Sequence, residues 1–117
     1  MSGRIAYKIM SAQDWSGMQA SGRYLGSAVD LADGYIHMSA PDQVAATAAR
    51  HYAGRSDLVL LSVALDGFDE ALVWEASRGG ALFPHLYAPL PIEAITSAHA
   101  LEVAEDGAMT VEGRSWP

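Results

Sequence analysis

The stretch LVLLSVAL at residues 58–65 is the longest apolar run in the chain. A nearly continuous apolar run of this length predicts a central β-strand that is covered on both faces. It is about a third of the length that a membrane-spanning helix needs. The Asp66-Gly67 pair that follows is a turn signal, so we expect the strand to end there.

On the N-terminal side of this run, the sequence predicts a strand followed by a helix. Residues 5–10 alternate enough to form a first strand. Ser11 then fits a helix N-cap with Asp14 in the first turn. We expect this helix to end at Gly22 with Met18 facing inward. The segment from residue 24 to residue 34 is predicted to be a loop.

A second strand and a second helix are predicted between that loop and residue 58. Residues 35–39 have the pattern of a strand. Ser39 is the expected N-cap of the next helix, because Pro41 and Asp42 are both favoured in a first turn. We expect this helix to end near Gly54.

The C-terminal half is predicted to be almost entirely extended. Residues 72–77 form a strand, and residues 83–87 are extended but contain Pro84, which favours an edge strand or a loop. The tail predicts a β-hairpin over about residues 97–112. Two helices lie among six or seven short strands without regular alternation, so the fold class is α+β in a single domain over residues 1–117.

Composition restricts the classes of partner. The net charge is −7 and the chain has one lysine and six arginines, which disfavours nucleic acid as a partner because phosphate backbones attract clustered cations. The absence of cysteine removes disulfides and thiol catalysis. No signal peptide or membrane span is evident. We therefore expect a cytoplasmic protein, with its oligomeric state left open.

Strand alternation places three polar or aromatic rows on strand faces. Successive side chains of a strand point to opposite faces, so every second residue shares one face. These rows could meet at a common cleft. Their members are Tyr35, His37 and Ser39; Val73, Glu75 and Ser77; and Phe83, His85 and Tyr87.

Each candidate also has a structural interpretation. A histidine on a half-polar strand is more often a hydrogen-bonding structural residue than a functional one. Glu75 follows Trp74, which we expect in the core; packing beside an aromatic ring can raise a carboxylate pKa, but a solvated glutamate is the simpler interpretation. A metal site built from His37, His85 and Glu75 is a further alternative, although no closely spaced ligand motif accompanies them. His51 and His99 have little support.

Several short motifs, taken in order, resemble domain-of-unknown-function family 952 over about residues 5–95. The most specific are DGYIHMS at residues 33–39 and FPHLY at residues 83–87. The remaining positions that fit the pattern are Tyr7-Lys8-Ile9, Trp15, Gly22 with Tyr24, Gln43, Trp74-Glu75 and Pro89-Leu90.

This resemblance implies an ADP-ribosyltransferase-like fold near the tRNA 2′-phosphotransferases, with split small β-sheets and two main helices around a cleft. The implied ligand is NAD or an ADP-ribose nucleotide, with NAD as a substrate and no metal. His37 would contact the ribose, His85 would serve in acid–base or phosphate contact, and Glu75 is a candidate sugar partner. The implied ligand-binding residues are Tyr24, Tyr35, Ser39, Gln43 and Tyr87.

Two departures from that superfamily keep other functions open. The late motif carries His85 where many of these transferases have a catalytic glutamate, and the arginines lie in no phosphate-binding motif. A non-catalytic nucleotide-binding or sensor module is therefore one alternative. A metal-dependent hydrolase is the other.

Overall fold

The apolar run at residues 58–65 lies at the heart of a mixed α+β structure. A computed structural model describes residues 4–116, apart from the side chain of Arg78. The strands are β1 (Ile5–Ser11), β2 (Arg23–Tyr24), β3 (Ile36–His37), β4 (Leu58–Ala64), β5 (Leu72–Ala76), β6 (Leu82–Leu86), β7 (Leu90–Pro91), β8 (Ile95–Val103), β9 (Met109–Val111) and β10 (Arg114–Ser115). The α-helices are α1 (Ala12–Ser21), α2 (Ala28–Asp33) and α3 (Val44–Tyr52).

Strand β4 separates two apolar cores, as its sequence predicts. It pairs antiparallel with β1 and β8 inside a sheet of order β1-β4-β8-β9-β10. Val59, Leu61 and Val63 enter one core, whereas Leu58 and Leu60 enter the other. This alternation buries both faces of the strand, because neighbouring side chains point in opposite directions. The tail strands β8 and β9 form the predicted hairpin and extend this sheet.

Helix α1 has the predicted boundaries and caps. The Ser11 side chain accepts a hydrogen bond from the backbone N–H of Asp14, and Gly22 adopts a left-handed conformation with φ 89° at the other end. Met18 is buried and Trp15 is half-buried against the same core. These signals are local in sequence, which is why they predict the helix well.

Helix α3 begins later than predicted, and Ser39 is not its cap. Backbone hydrogen bonds connect Ser39 to Tyr7 of β1 in both directions, so Ser39 extends the sheet contact instead of starting a helix. Gln43 occupies the N-cap position, and its side chain makes no hydrogen bond to the backbone of the helix. Pro41 and Asp42, which were expected in the first turn of the helix, lie in a turn that precedes it.

Helix α2 corrects the prediction of a loop over residues 24–34. Ser27 and Asp30 form a capping box at its start, and left-handed Gly34 ends it. Its apolar residues Val29 and Leu31 are 63% and 65% exposed, so the helix does not bury an apolar face. With this helix the described residues contain three α-helices, not two.

The segment around Pro84 is a central strand, which corrects the prediction of an edge or loop. Strand β6 lies between β3 and β5 in a three-stranded antiparallel sheet. The backbone N–H of Met38 donates to the carbonyl of Pro84. The nitrogen of Pro84, which has no hydrogen to donate, faces β3 as its carbonyl does. It lies just beyond the end of β3, so the lack of an N–H breaks no hydrogen bond within the paired residues of β3 and β6. A two-stranded sheet, β2-β7, completes three sheets among the described residues.

Candidate functional site

His37 and His85 face each other across two strands, as strand alternation predicts. They are direct partners in the β3–β6 register, and their ring centroids are 5.6 Å apart. Ile36 and Leu86, the neighbouring pair, point the other way into the core. Two histidines that are remote in sequence are therefore brought to one polar site.

Asp30 in helix α2 anchors the imidazole of His37. The carboxylate is 2% exposed and accepts four hydrogen bonds. Lys8 Nζ donates to Oδ2 at 3.0 Å and the backbone N–H of Ser27 donates to the same oxygen at 2.9 Å. The Oδ1 atom accepts from the backbone N–H of His37 at 3.1 Å and from its Nδ1 at 2.6 Å.

The electrostatics of this group keep Asp30 ionised. Burial pushes the pKa of Asp30 upward, but the positive charge of Lys8 and the hydrogen bonds from Ser27 and His37 outweigh it and lower the pKa. Burial also lowers the pKa of Lys8, and the attraction of Asp30 opposes that shift. Lys8 further donates to the carbonyl oxygen of His37 at 2.8 Å, so one ammonium group ties β1, α2 and β3 together.

The second nitrogen of His37 contacts a different carboxylate. Its Nε2 atom lies 2.9 Å from Oδ2 of Asp33, a side chain that is 47% exposed. An ionised carboxylate only accepts hydrogen bonds, so each of the two contacts is a hydrogen bond when the ring nitrogen concerned carries a proton. The ring of His37 therefore lies between a buried carboxylate, Asp30, and an exposed one, Asp33.

His85 is held by Glu75 and Tyr87 in a second group. Its Nδ1 atom lies 2.7 Å from Oε1 of Glu75, which also accepts a hydrogen bond from the Tyr87 hydroxyl at 2.7 Å. These hydrogen bonds, Tyr87 first, lower the pKa of Glu75, which corrects the expectation that Trp74 could raise it. Trp74 is on the other strand face and is 37% exposed, so its predicted core position is also wrong. The same contact raises the pKa of Tyr87 to about 12.

Tyr35 joins the two groups. Its ring stacks on His85 with a centroid distance of 4.1 Å and an interplanar angle of 22°. The same ring lies 4.7 Å from the ring of His37 and 5.1 Å from that of Tyr87. His85 is consequently 3% exposed beneath Tyr35, whereas a third of the His37 side chain is open.

Two cavities border these two groups. A cavity of about 560 Å³ is lined by His37, His85 and Ser39. A second cavity, of about 380 Å³, is lined by Tyr35 and Tyr87 with mainly apolar neighbours. Other residues of the larger cavity are Lys8, Ser27, Asp30, Asp33, Thr47, His51, Tyr52, Arg55 and Phe83.

Three predicted ligand-binding residues have other contacts in the structure. Tyr24 is buried in the core, where burial raises the pKa of its hydroxyl. The Ser39 hydroxyl lies in the larger cavity and pairs with Thr47 Oγ1 at 2.9 Å. Gln43 bridges the backbone of Ala40 and Leu82 with its side-chain amide.

Sequence reasoning missed Lys8 and Asp30 as members of the site. Lys8 is the only lysine in the chain and lies in an otherwise apolar strand, a setting in which a charge needs a partner. Ser27 and Asp30 have capping-box spacing, a signal that was available in the sequence. Their connection to His37 depends on tertiary packing between β1, α2 and β3.

Among the described side chains, no group of three or more histidine, cysteine, aspartate or glutamate residues is placed to hold a metal ion. His37, His85 and Glu75 form no such group. No helix within residues 4–116 is long and apolar enough to cross a membrane.

These features define an α+β protein with two histidine–carboxylate pairs at a polar cavity. The family described as "Protein of unknown function (DUF952)" matches residues 9–98, and the chain belongs to this family. The chain matches no curated protein.

Solved structures of one relative have the same fold. The crystal structure of the protein CC0527 from Caulobacter crescentus is 49% identical, with 91% of this chain and 93% of that chain covered and a TM-score of 0.85. The solution NMR structure of CC0527 is also 49% identical, with 92% and 90% covered and a TM-score of 0.78.

Proposed function

We propose that the protein binds NAD or a related ADP-ribose nucleotide in the 560 Å³ cavity, in the cytoplasm, with His37 contacting a ribose. The observation that carries this proposal is the open imidazole of His37, fixed by Asp30 at the wall of that cavity. A fixed imidazole beside carboxylates offers the mixed donors and acceptors that sugar hydroxyls need.

The composition of the cavity wall supports a nucleotide-sized ligand. Its volume lies within the range of about 300–1,000 Å³ that is usual for small-molecule sites. Ser39 and Thr47 contribute hydroxyls, and Tyr52 and Phe83 contribute aromatic rings that suit a base. Arg55 also lines the cavity, and a phosphate would take the place of Asp57, which the guanidinium of Arg55 contacts at 2.8 Å.

The relationship to ADP-ribosyltransferases that we expect for this family is the ground for proposing transfer of ADP-ribose as the reaction. In that reaction the bond between ribose C1′ and the nicotinamide nitrogen breaks, and its electrons leave with nicotinamide. An acceptor oxygen or nitrogen then bonds to C1′ and gives up its proton to a base. Asp33, at the cavity, is the carboxylate of the site with an exposed side chain, so it is the one able to oppose the developing positive charge.

Titration with NAD and with ADP-ribose, followed by protein NMR, tests the proposal. We expect shifts of the amide signals around His37 and a loss of affinity of about tenfold or more in His37→Ala, because removing a hydrogen-bonding ring costs more than 1 kcal/mol. His99→Ala is the matched control, since His99 is exposed on β8 and pairs with Glu112. Unchanged spectra at millimolar ligand contradict the proposal.

A non-catalytic binding module is the second candidate, and the position of Glu75 favours it. Glu75 does not line the larger cavity, and its Oε1 atom already accepts from Tyr87 and contacts His85. A nicotinamide-release assay separates the two candidates. Release that exceeds the rate without protein supports transfer; binding without release, with equal affinity in Glu75→Gln, supports the module.

A further inference from the structure

The two carboxylates on His37 have very different freedom to move. Asp30 is 2% exposed and is fixed by Lys8 and Ser27 as well as by the ring. Asp33 is 47% exposed and, among the described side chains, its carboxylate makes no hydrogen bond besides the one to Nε2 of His37. Asp30 is therefore a fixed partner of the His37 ring, whereas Asp33 can move away from it.

This difference decides which nitrogen is offered to a ligand. In a neutral imidazole only one nitrogen carries a proton, and the other nitrogen presents a lone pair that repels a neighbouring carboxylate. Asp30 cannot withdraw without leaving Lys8 unpaired in the protein interior, which is costly. Asp33 can turn into solvent. The proton of the neutral ring consequently stays on Nδ1, and Nε2 faces the cavity.

We propose that Asp30 is the positioning residue of His37 and that Asp33 determines specificity by giving up its place on Nε2 to a ribose hydroxyl. The displaced Asp33 carboxylate then accepts a hydrogen bond from the neighbouring hydroxyl of the same sugar. This inference rests on the proposed function for the identity of the ligand, but the role of Asp30 is independent of it.

A neutral hydroxyl suits this position better than an anionic oxygen does. A hydroxyl donates to Nε2 when the ring is neutral and accepts from it when the ring is charged. An anion would instead meet the exposed carboxylate of Asp33, and like charges that are brought together repel each other. The site should therefore prefer an unmodified ribose over one that carries a 2′-phosphate.

The first test needs no ligand. Long-range NMR correlations of the imidazole nitrogens report which nitrogen carries the proton at a pH where the ring is neutral. We expect the proton of His37 on Nδ1 in the wild type and in Asp33→Asn, and a mixture of the two tautomers in Asp30→Asn. A proton mainly on Nε2 in the wild type overturns the role of Asp30, and this measurement decides the matter even if Asp30→Asn does not fold.

The second test compares ADP-ribose with its derivative that carries a phosphate on the 2-hydroxyl of the ribose distal to adenine, the sugar at which transfer would occur, by calorimetric titration. We expect the wild type to bind the unmodified nucleotide more tightly and Asp33→Asn to reduce that preference about tenfold, because one repulsive charge is removed. Asp66→Asn is the control, since it makes the same charge change in an exposed turn away from the cavity. An equal preference in wild type and Asp33→Asn overturns the role of Asp33.

The two failures can be told apart. If neither nucleotide binds to any of these proteins, the proposed function and the role of Asp33 both fail, whereas the tautomer of His37 still decides the role of Asp30. If ADP-ribose binds and the preference is unchanged by Asp33→Asn, the proposed function stands and only the role of Asp33 is wrong.

Discussion

The two histidine–carboxylate pairs that meet across β3 and β6 differ in which partner is buried: the carboxylate in one pair and the histidine in the other. In one pair the carboxylate of Asp30 is 2% exposed while the side chain of His37 is 33% exposed. In the other, His85 is 4% exposed while Glu75 is 39% exposed. A buried carboxylate that presents an open ring suits ligand binding. A buried ring tied to an open carboxylate fixes the packing of β5 against β6.

Removing Asp30 should have the largest effect on stability. In Asp30→Ala, Lys8 is left as an unpaired charge in the protein interior, so we expect the free energy of unfolding to fall by about 3–5 kcal/mol. Chemical denaturation monitored by circular dichroism measures this change as a lower midpoint. Glu75→Ala is the comparison, and it should cost clearly less because its carboxylate reaches solvent. An equal loss of unfolding free energy in Asp30→Ala and Glu75→Ala would contradict the proposed difference between the two pairs.

Acid should weaken the protein partly through Asp30. The pKa of Asp30 is lowered in the folded state, so the unfolded chain takes up its proton more readily. The stabilising contribution is therefore present above the unfolded pKa of about 4 and is lost as the pH falls through the folded pKa. Denaturation curves over a pH series should show that the free energy of unfolding falls more steeply with decreasing pH in the wild type than in Asp30→Asn. Parallel curves for the two proteins contradict this assignment.

The smallest expected effect is confined to the second pair. The pKa of Tyr87 is raised to about 12 because its hydroxyl donates to Glu75. In Glu75→Gln we expect that pKa to move down toward the ordinary tyrosine value of about 10. Ultraviolet absorbance during an alkaline titration detects the tyrosinate. Other tyrosines, such as buried Tyr24, also ionise late, so Tyr87→Phe is used to identify the part of the titration that belongs to Tyr87. If that part is unchanged in Glu75→Gln, the link is disproved.

The sequence predicts those parts of the molecule that depend on local patterns. The burial of β4 follows from its continuous apolar run, and the caps of α1 follow from Ser11 and Gly22. The approach of His37 and His85 follows from alternation on two strands that each have one apolar face. The family resemblance, carried by short motifs, is confirmed by the match to residues 9–98.

The parts that the sequence does not reveal depend on contacts between distant segments. Helix α2 has no apolar face of its own, because Asp30 is its only buried residue. The central position of β6 depends on where β3 ends relative to Pro84. The link from Lys8 to His37 through Asp30 spans three elements that are separated along the chain, so no sequence spacing could display it.

Because Lys8 is the only lysine in the chain and is 5% exposed, the folded protein hides its single side-chain amine. We expect reagents that acylate amines to modify this side chain only slowly while its contacts with Asp30 and the carbonyl of His37 are in place. The rate of that modification, measured by mass spectrometry, therefore reports how often the cavity wall opens locally, without any engineered label.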